Sequence, residues 1–250
     1  MNPRTTSMRT IFALTASVVS LSFLAACGDD DAEASSVPAA ACDAAVDLTS
    51  AFGQAPEDPA EFSGFATDTL IPLATTLADE LDDGDADAAK VLADAYERIA
   101  EDGDISVVES EPVADAQATV GAAIHNGCDL QRVDIGAVEY QYQNAPDQLK
   151  AGRVSFALQN KGVEDHEMVL FRRADGETAS FEELSQLPED QLFSKVTFTG
   201  VAFGKPGTTS YAAMDLEPGT YFLVCFIPQG GSEDAPPHFM GGMQHTLTVT

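Results

Sequence analysis

The sequence predicts a protein in two parts, a small helical bundle over residues 39–130 and an antiparallel β-sandwich over 131–250. Three observations carry this. Between 39 and 128 alanine is abundant, runs of aromatic or β-branched residues are few, and apolar residues recur at helical spacing. After Cys128 the chain breaks into short alternating segments divided by Gly, Pro and Asn turns, with no long helix between them. The final stretch reads strand, loop, strand: an apolar run from Thr220 to Ile227, a Gly- and Pro-rich connection, and a closing Gln244–Thr250.

The chain opens differently. Arg4 and Arg9 precede a largely apolar stretch from Ile11 to Leu24, and small residues follow, which marks 1–26 as an export signal rather than a spanning helix. The ending Leu24-Ala-Ala-Cys27 resembles the lipobox of bacterial lipoproteins, in which the cysteine becomes the mature N-terminus and carries lipid. That resemblance implies lipidation at Cys27 and anchoring at the outer face of the cell membrane, periplasmic or extracellular. Beyond residue 24 no stretch is long and apolar enough to cross a bilayer. Residues 27–38 are small and acidic and read as a tether. The formal net charge is −29 at pH 7. Phosphate binding needs the opposite sign, so nucleic acid is excluded as a partner. A basic protein partner suits such a surface.

Four amphipathic helices follow. The first holds Cys42, Val46, Leu48 and Phe52 and stops at Gly53. A second carries Leu70, Leu73, Leu77 and Leu81, with Pro72 either starting or kinking it, and ends at Asp82-Asp-Gly84. The third, Asp85–Asp102, aligns Ala88, Leu92, Ala95 and Ile99, with Gly103 as its stop. The fourth, Glu111–Asn126, aligns Val113, Ala116, Val120 and Ile124, with Gly127 as a C-terminal cap and His125 complementing the helix end. Such stripes are buried only against one another. Cys42 and Cys128 flank this segment and, in an exported chain, are expected to form a disulfide that staples a thin Ala/Leu core.

Strands are expected over 133–142, within 149–158, over 166–172, 196–203 and 208–214, and through Cys225, with a short helical excursion at 181–193. On the third of these His166, Met168 and Leu170 share one face.

Chemistry concentrates in the last stretch. Cys225 ends a strand; His238 and, after four residues, Met243 follow on the same loop; His166 opens another strand. Thiolate, two imidazoles and a thioether form a soft donor set suited to one type 1 copper. Met240 is a rival axial ligand, and the four-residue spacing favours Met243.

At these residues the chain resembles the cupredoxins, the fold of plastocyanin, azurin and the blue-copper domains of nitrite reductase. Asn160-x-Gly162-x-x-x-His166-Glu is similar to the turn that delivers the first histidine of that family. Glu217-Pro-Gly-Thr-Tyr-Phe-Leu-Val-Cys225 is similar to the thiolate strand, and His238-x-x-x-x-Met243-Gln to the second histidine and axial methionine. The resemblance implies a Greek-key sandwich, a metal site of His166, Cys225, His238 and Met243, and one-electron transfer between protein partners. The loop from Cys225 to His238 is longer than in simple plastocyanins and is expected to form an exposed lid. Val224 and Phe226 flank the thiolate where nitrite reductases and multicopper oxidases wire in a histidine, so an enzyme is not expected. A copper carrier or store, and a metal-free module of the same fold, are the alternative functions.

Overall fold

The computed structural model describes residues 37–56, 58–232 and 234–250. The expected signal, the lipidation site at Cys27 and nearly all of the tether lie outside these residues. No helix among the described residues is long and apolar enough to cross a membrane. The described residues group as one compact unit.

The helical half contains α1 (Ala39–Phe52), α2 (Pro59–Phe65), α3 (Ile71–Glu80), α4 (Asp83–Asp102) and α5 (Glu111–Gly127). Leu70 and Leu73 do share a helical run, yet it begins earlier than expected. A π-helical segment, Ala66–Leu70, joins α2 to α3 in one continuous run, and Pro72 follows it directly, where it has no N–H to give to the preceding turn. Gly103 ends α4 in the left-handed conformation expected of it (φ 70°). Gly127 instead remains helical, and extended Cys128 ends α5. The core of this half is small-residue rich: Ala41, Ala44, Ala74, Ala89 and Ala95 interleave with Leu70, Leu77, Leu92, Tyr96, Ile99 and Ile124. The Cys42–Cys128 disulfide is present and ties α1 to the end of α5.

The C-terminal half is the expected two-sheet β-sandwich. The strands are β1 (Gln131–Val138), β2 (Gln141–Gln143), β3 (Gln148–Leu149), β4 (Gly152–Asn160), β5 (His166–Arg173), β6 (Val196–Gly204), β7 (Thr209–Leu216), β8 (Gly219–Val224) and β9 (Gln244–Val249). One sheet orders them β2-β1-β4-β7, the other β3-β9-β8-β5-β6. The expected antiparallel character holds for most pairs, but β1 runs parallel to β4 and β3 parallel to β9. Between β1 and β4 the chain visits the other sheet as β3, so it re-enters beside β1 in the same sense. The single strand expected over 133–142 is a tight hairpin of β1 and β2 turning at Glu139-Tyr140.

Side chains alternate as a sandwich requires. His166, Met168 and Leu170 of β5 point inward with Leu223, Cys225, Met243 and Leu247. Val169 and Phe171 point outward into a second, phenylalanine-rich cluster. That cluster is closed by the helical excursion, α6 (Phe181–Leu184) and α7 (Glu189–Phe193). The helices pack on β7: Ala213 joins their core, and a Cβ on Gly121 of α5 would stand 2.6 Å from Cβ of Tyr211, so only glycine permits this approach.

His125 departs from its expected role at a helix end. It is buried between α5 and the sheet, with Nδ1 2.9 Å from the Ser155 hydroxyl of β4 and its ring against Tyr211. Burial pushes its pKa below the ordinary 6.5, against the opposing pull of Asp134. Below about pH 6.5 the unfolded chain therefore binds more protons at this position than the folded one, so stability falls with pH until the folded pKa is passed. Urea unfolding between pH 8 and pH 5 should show a smaller acid loss in His125→Gln than in the wild type. Equal losses would refute this account.

Candidate metal centre

The site is built where three chain reversals meet. Asn160, buried at the end of β4, shapes the first. Its amide donates to the Glu164 and Gly204 carbonyls, each at 2.8 Å, and its side-chain oxygen accepts from the Gly162 N–H at 2.9 Å. This explains the Asn-x-Gly motif physically: the turn of 161–165 is strapped to itself and to β6, and His166 leaves it in a fixed place. Gly162 lies so close to the site that a Cβ there would collide with the Glu139 carboxylate and stand 2.7 Å from His166 Nε2.

The second reversal is the long connection after β8. The expected lid is a hairpin in its own right. The His238 N–H donates to the Ile227 carbonyl (2.8 Å), the Phe239 N–H to that of Cys225 (2.9 Å), and Pro228 bridges Pro237. The intervening residues therefore project away from the base of the hairpin, where Cys225 and His238 lie side by side whatever the loop length. A 3-10 turn, His238–Gly241, then returns the chain, with Gly242 at φ 114° and the Met243 N–H bonded to the His238 carbonyl at 3.1 Å.

His166, Cys225, His238 and Met243 are all fully buried. The ligand atoms of the first three lie within 4.8 Å of one another. The two imidazoles meet through their Nδ1 atoms, 3.1 Å apart, and His238 Nδ1 is 3.4 Å from Cys225 Sγ. Met243 belongs to the same inner cluster as Cys225, whereas the rival Met240 is 58% exposed. Backbone N–H groups of Glu167 (3.5 Å) and Ile227 point at the sulfur. Burial nevertheless pushes the Cys225 thiol up to about 11. Burial, together with the neighbouring His238, pushes His166 down.

Three residues that the sequence did not single out enclose the histidines. Glu164 Oε2 lies 3.1 Å from His238 Nε2, accepts the Gly230 N–H at 2.6 Å, and Glu164 Oε1 accepts the Tyr140 hydroxyl at 3.1 Å. The Tyr140 ring packs on His238 with 4.6 Å between centroids. Glu139 Oε1 accepts the Val163 and Glu164 N–H groups, which hold its pKa near 2, and lies 3.5 Å from His166 Nε2. Burial alone would raise Glu164, but the Gly230 N–H, His238 and the Tyr140 hydroxyl together bring it below the usual carboxylate value. No motif marked these groups in the sequence. Glu164 lies two residues before His166, and Glu139-Tyr140 lies in a turn that lacks both Gly and Pro.

The residues present fit a soft metal ion. Two imidazole nitrogens and a sulfur face one point in a water-excluded interior. Convergent acceptors of this kind are costly to bury unless something cationic lies between them.

No family model matches the chain, and no curated protein matches it. Among solved structures the chain is similar to a dithionite-reduced auracyanin from the photosynthetic bacterium Roseiflexus castenholzii, at 18% identity over 48% of this chain and 97% of that one, with a TM-score of 0.33. It is also similar to auracyanin B, at 24% identity over 50% of this chain and 92% of that one, with a TM-score of 0.34. A third is auracyanin A, described as a "blue" copper protein of the green thermophilic photosynthetic bacterium Chloroflexus aurantiacus, at 21% identity over 48% of this chain and 98% of that one, with a TM-score of 0.31.

Proposed function

We propose that the sandwich holds one copper ion and carries single electrons between protein partners. His166 and His238 would supply Nδ1, Cys225 its thiolate, and Met243 a thioether. The observation that carries this is the convergence of His166, Cys225 and His238 donor atoms within 4.8 Å, in full burial, on an interior cluster that also contains Met243. Bound in such a set, copper supplies one-electron exchange in a geometry acceptable to both oxidation states. The chain's own part is to exclude water, fix both rings and shelter the sulfur. Complete burial of all four side chains supports a relay over an enzyme, since no donor is open to a substrate. The net charge of −29 supports partners with basic docking faces. Cys27 would hold the protein at a membrane through lipid, and Cys27→Ala should then move it to the soluble fraction; unchanged membrane fractionation would refute the anchor.

The test is direct. Copper(II) added to residues 28–250 should give an intense visible charge-transfer band, lost in Cys225→Ser, and reversible one-electron reduction. A band without reversible reduction would favour a carrier or store. A colourless protein with an intact Cys225 thiol would leave a metal-free module.

A further inference from the structure

We propose that Glu164 and Glu139 are positioning residues: they hold a proton on the outer nitrogen of each imidazole, reserve both inner nitrogens for a cation, and favour the divalent over the monovalent ion. The ion preference rests on the copper reading above; the proton placement does not.

The argument starts from the directions of the rings. Both present Nδ1 inward, 3.1 Å apart, and Nε2 outward toward a carboxylate, at 3.1 Å for His238–Glu164 and 3.5 Å for His166–Glu139. An ionised carboxylate has only acceptors, so each contact is attractive only when Nε2 carries the hydrogen. A hydrogen on Nδ1 instead would leave a lone pair on Nε2 facing an anion. With both hydrogens outward, the two Nδ1 lone pairs and the Cys225 sulfur face one another, and the single thiol hydrogen is all that remains to separate them. The carboxylates thereby turn two buried histidines into a donor set poised for a cation. The negative charge behind each ring strengthens its donor atom, which favours the ion of higher charge.

Neither carboxylate is placed by chance. Glu164 is held by the Gly230 N–H and the Tyr140 hydroxyl, and so links the β4–β5 turn, the β1–β2 turn and the loop that carries His238. Glu139 is held by two consecutive N–H groups, of Val163 and Glu164, in a space that exists only because residue 162 lacks a Cβ. Glu164 is the stronger of the two, because it makes a hydrogen bond to His238 Nε2, whereas Glu139 faces His166 Nε2 at 3.5 Å without hydrogen-bond geometry and acts through its charge alone.

Imidazole ¹⁵N spectra of the metal-free chain should show both His166 and His238 as Nε2–H tautomers. Glu164→Ala should drive His238 to a mixture while leaving His166 unchanged. Glu164→Gln keeps an accepting carbonyl, so the tautomer should persist, yet the ratio of copper(II) to copper(I) affinity should fall about 10-fold. Glu182→Gln, on the exposed side of α6, should move neither readout. A hydrogen found on His238 Nδ1 in the metal-free wild type overturns the proton placement. An unchanged affinity ratio in Glu164→Gln overturns the ion preference. A wild type that takes up no copper overturns the function proposed above and with it the ion preference, while the tautomer spectra still decide the proton placement.

Discussion

Cys42→Ala/Cys128→Ala should lose about 4–5 kcal/mol of stability, lowering the unfolding temperature by about 10–20 °C. The bridge closes a loop with a sequence separation of 86, and in the chain-entropy model a loop of that length restricts the unfolded ensemble strongly. The helical half is where such a restriction matters. Much of its buried surface comes from alanines, which bring little apolar area each, so packing leaves a small surplus over conformational entropy. Domains of ordinary stability hold only about 5–15 kcal/mol in all, so the loss is a large share of the whole. Alanine rather than serine is the right replacement, because both positions are buried and a serine hydroxyl would add a desolvation cost. Treatment of the wild type with a thiol reductant should reproduce the shift. An unfolding temperature within two or so degrees of the wild type would sink this account.

Phe181→Ala should cost about 3–5 kcal/mol and loosen the metal-site loop more than the rest of the sandwich. Phe181 is the first residue of α6 and is buried against four other rings, at 5.5 Å from Phe239, 5.6 Å from Phe222, 6.0 Å from Phe226 and 6.3 Å from Phe171. Two of these follow site residues directly in the chain: Phe226 after Cys225 and Phe239 after His238. Those two rings also pack on each other at 5.5 Å. Phe181 therefore holds the base of the loop from outside the sandwich. The capping box of Ser180 and Glu183 starts α6 and sets its direction. Hydrogen exchange provides the readout, since the amides of His238 and Phe239 donate across the base of the hairpin. Their exchange should quicken beyond what the global loss explains, with β4 amides as the reference. Full protection at His238 and Phe239 in Phe181→Ala would refute the clamp.

Much of the fold was legible in the residues. Helical spacing located the main helices because their apolar stripes are regular, and Gly103 marks the end of α4. Alternation located β5 and its inward face because a half-buried strand must repeat every two residues. Other features were hidden. The break at Glu139-Tyr140 carries no turn residue, so local propensity read one strand across it. The π-helical link before α3 and the parallel pairings depend on where the chain returns in space. His125 looked like a helix-end charge because sequence shows the helix it ends but not the sheet that covers it.

The sequence by itself determined the donor types and their order along the chain, the cysteine pair, and which face of each element is apolar, because these follow from side-chain chemistry and from periods of 3.6 and 2. Only the tertiary structure decided that His166 reaches Cys225 and His238, that the long loop stands on its own hairpin base, and that two glutamates and a tyrosine close around the imidazoles. Those are contacts between segments up to about a hundred residues apart. Their geometry is set by sheet register and packing, which no local pattern of residues encodes.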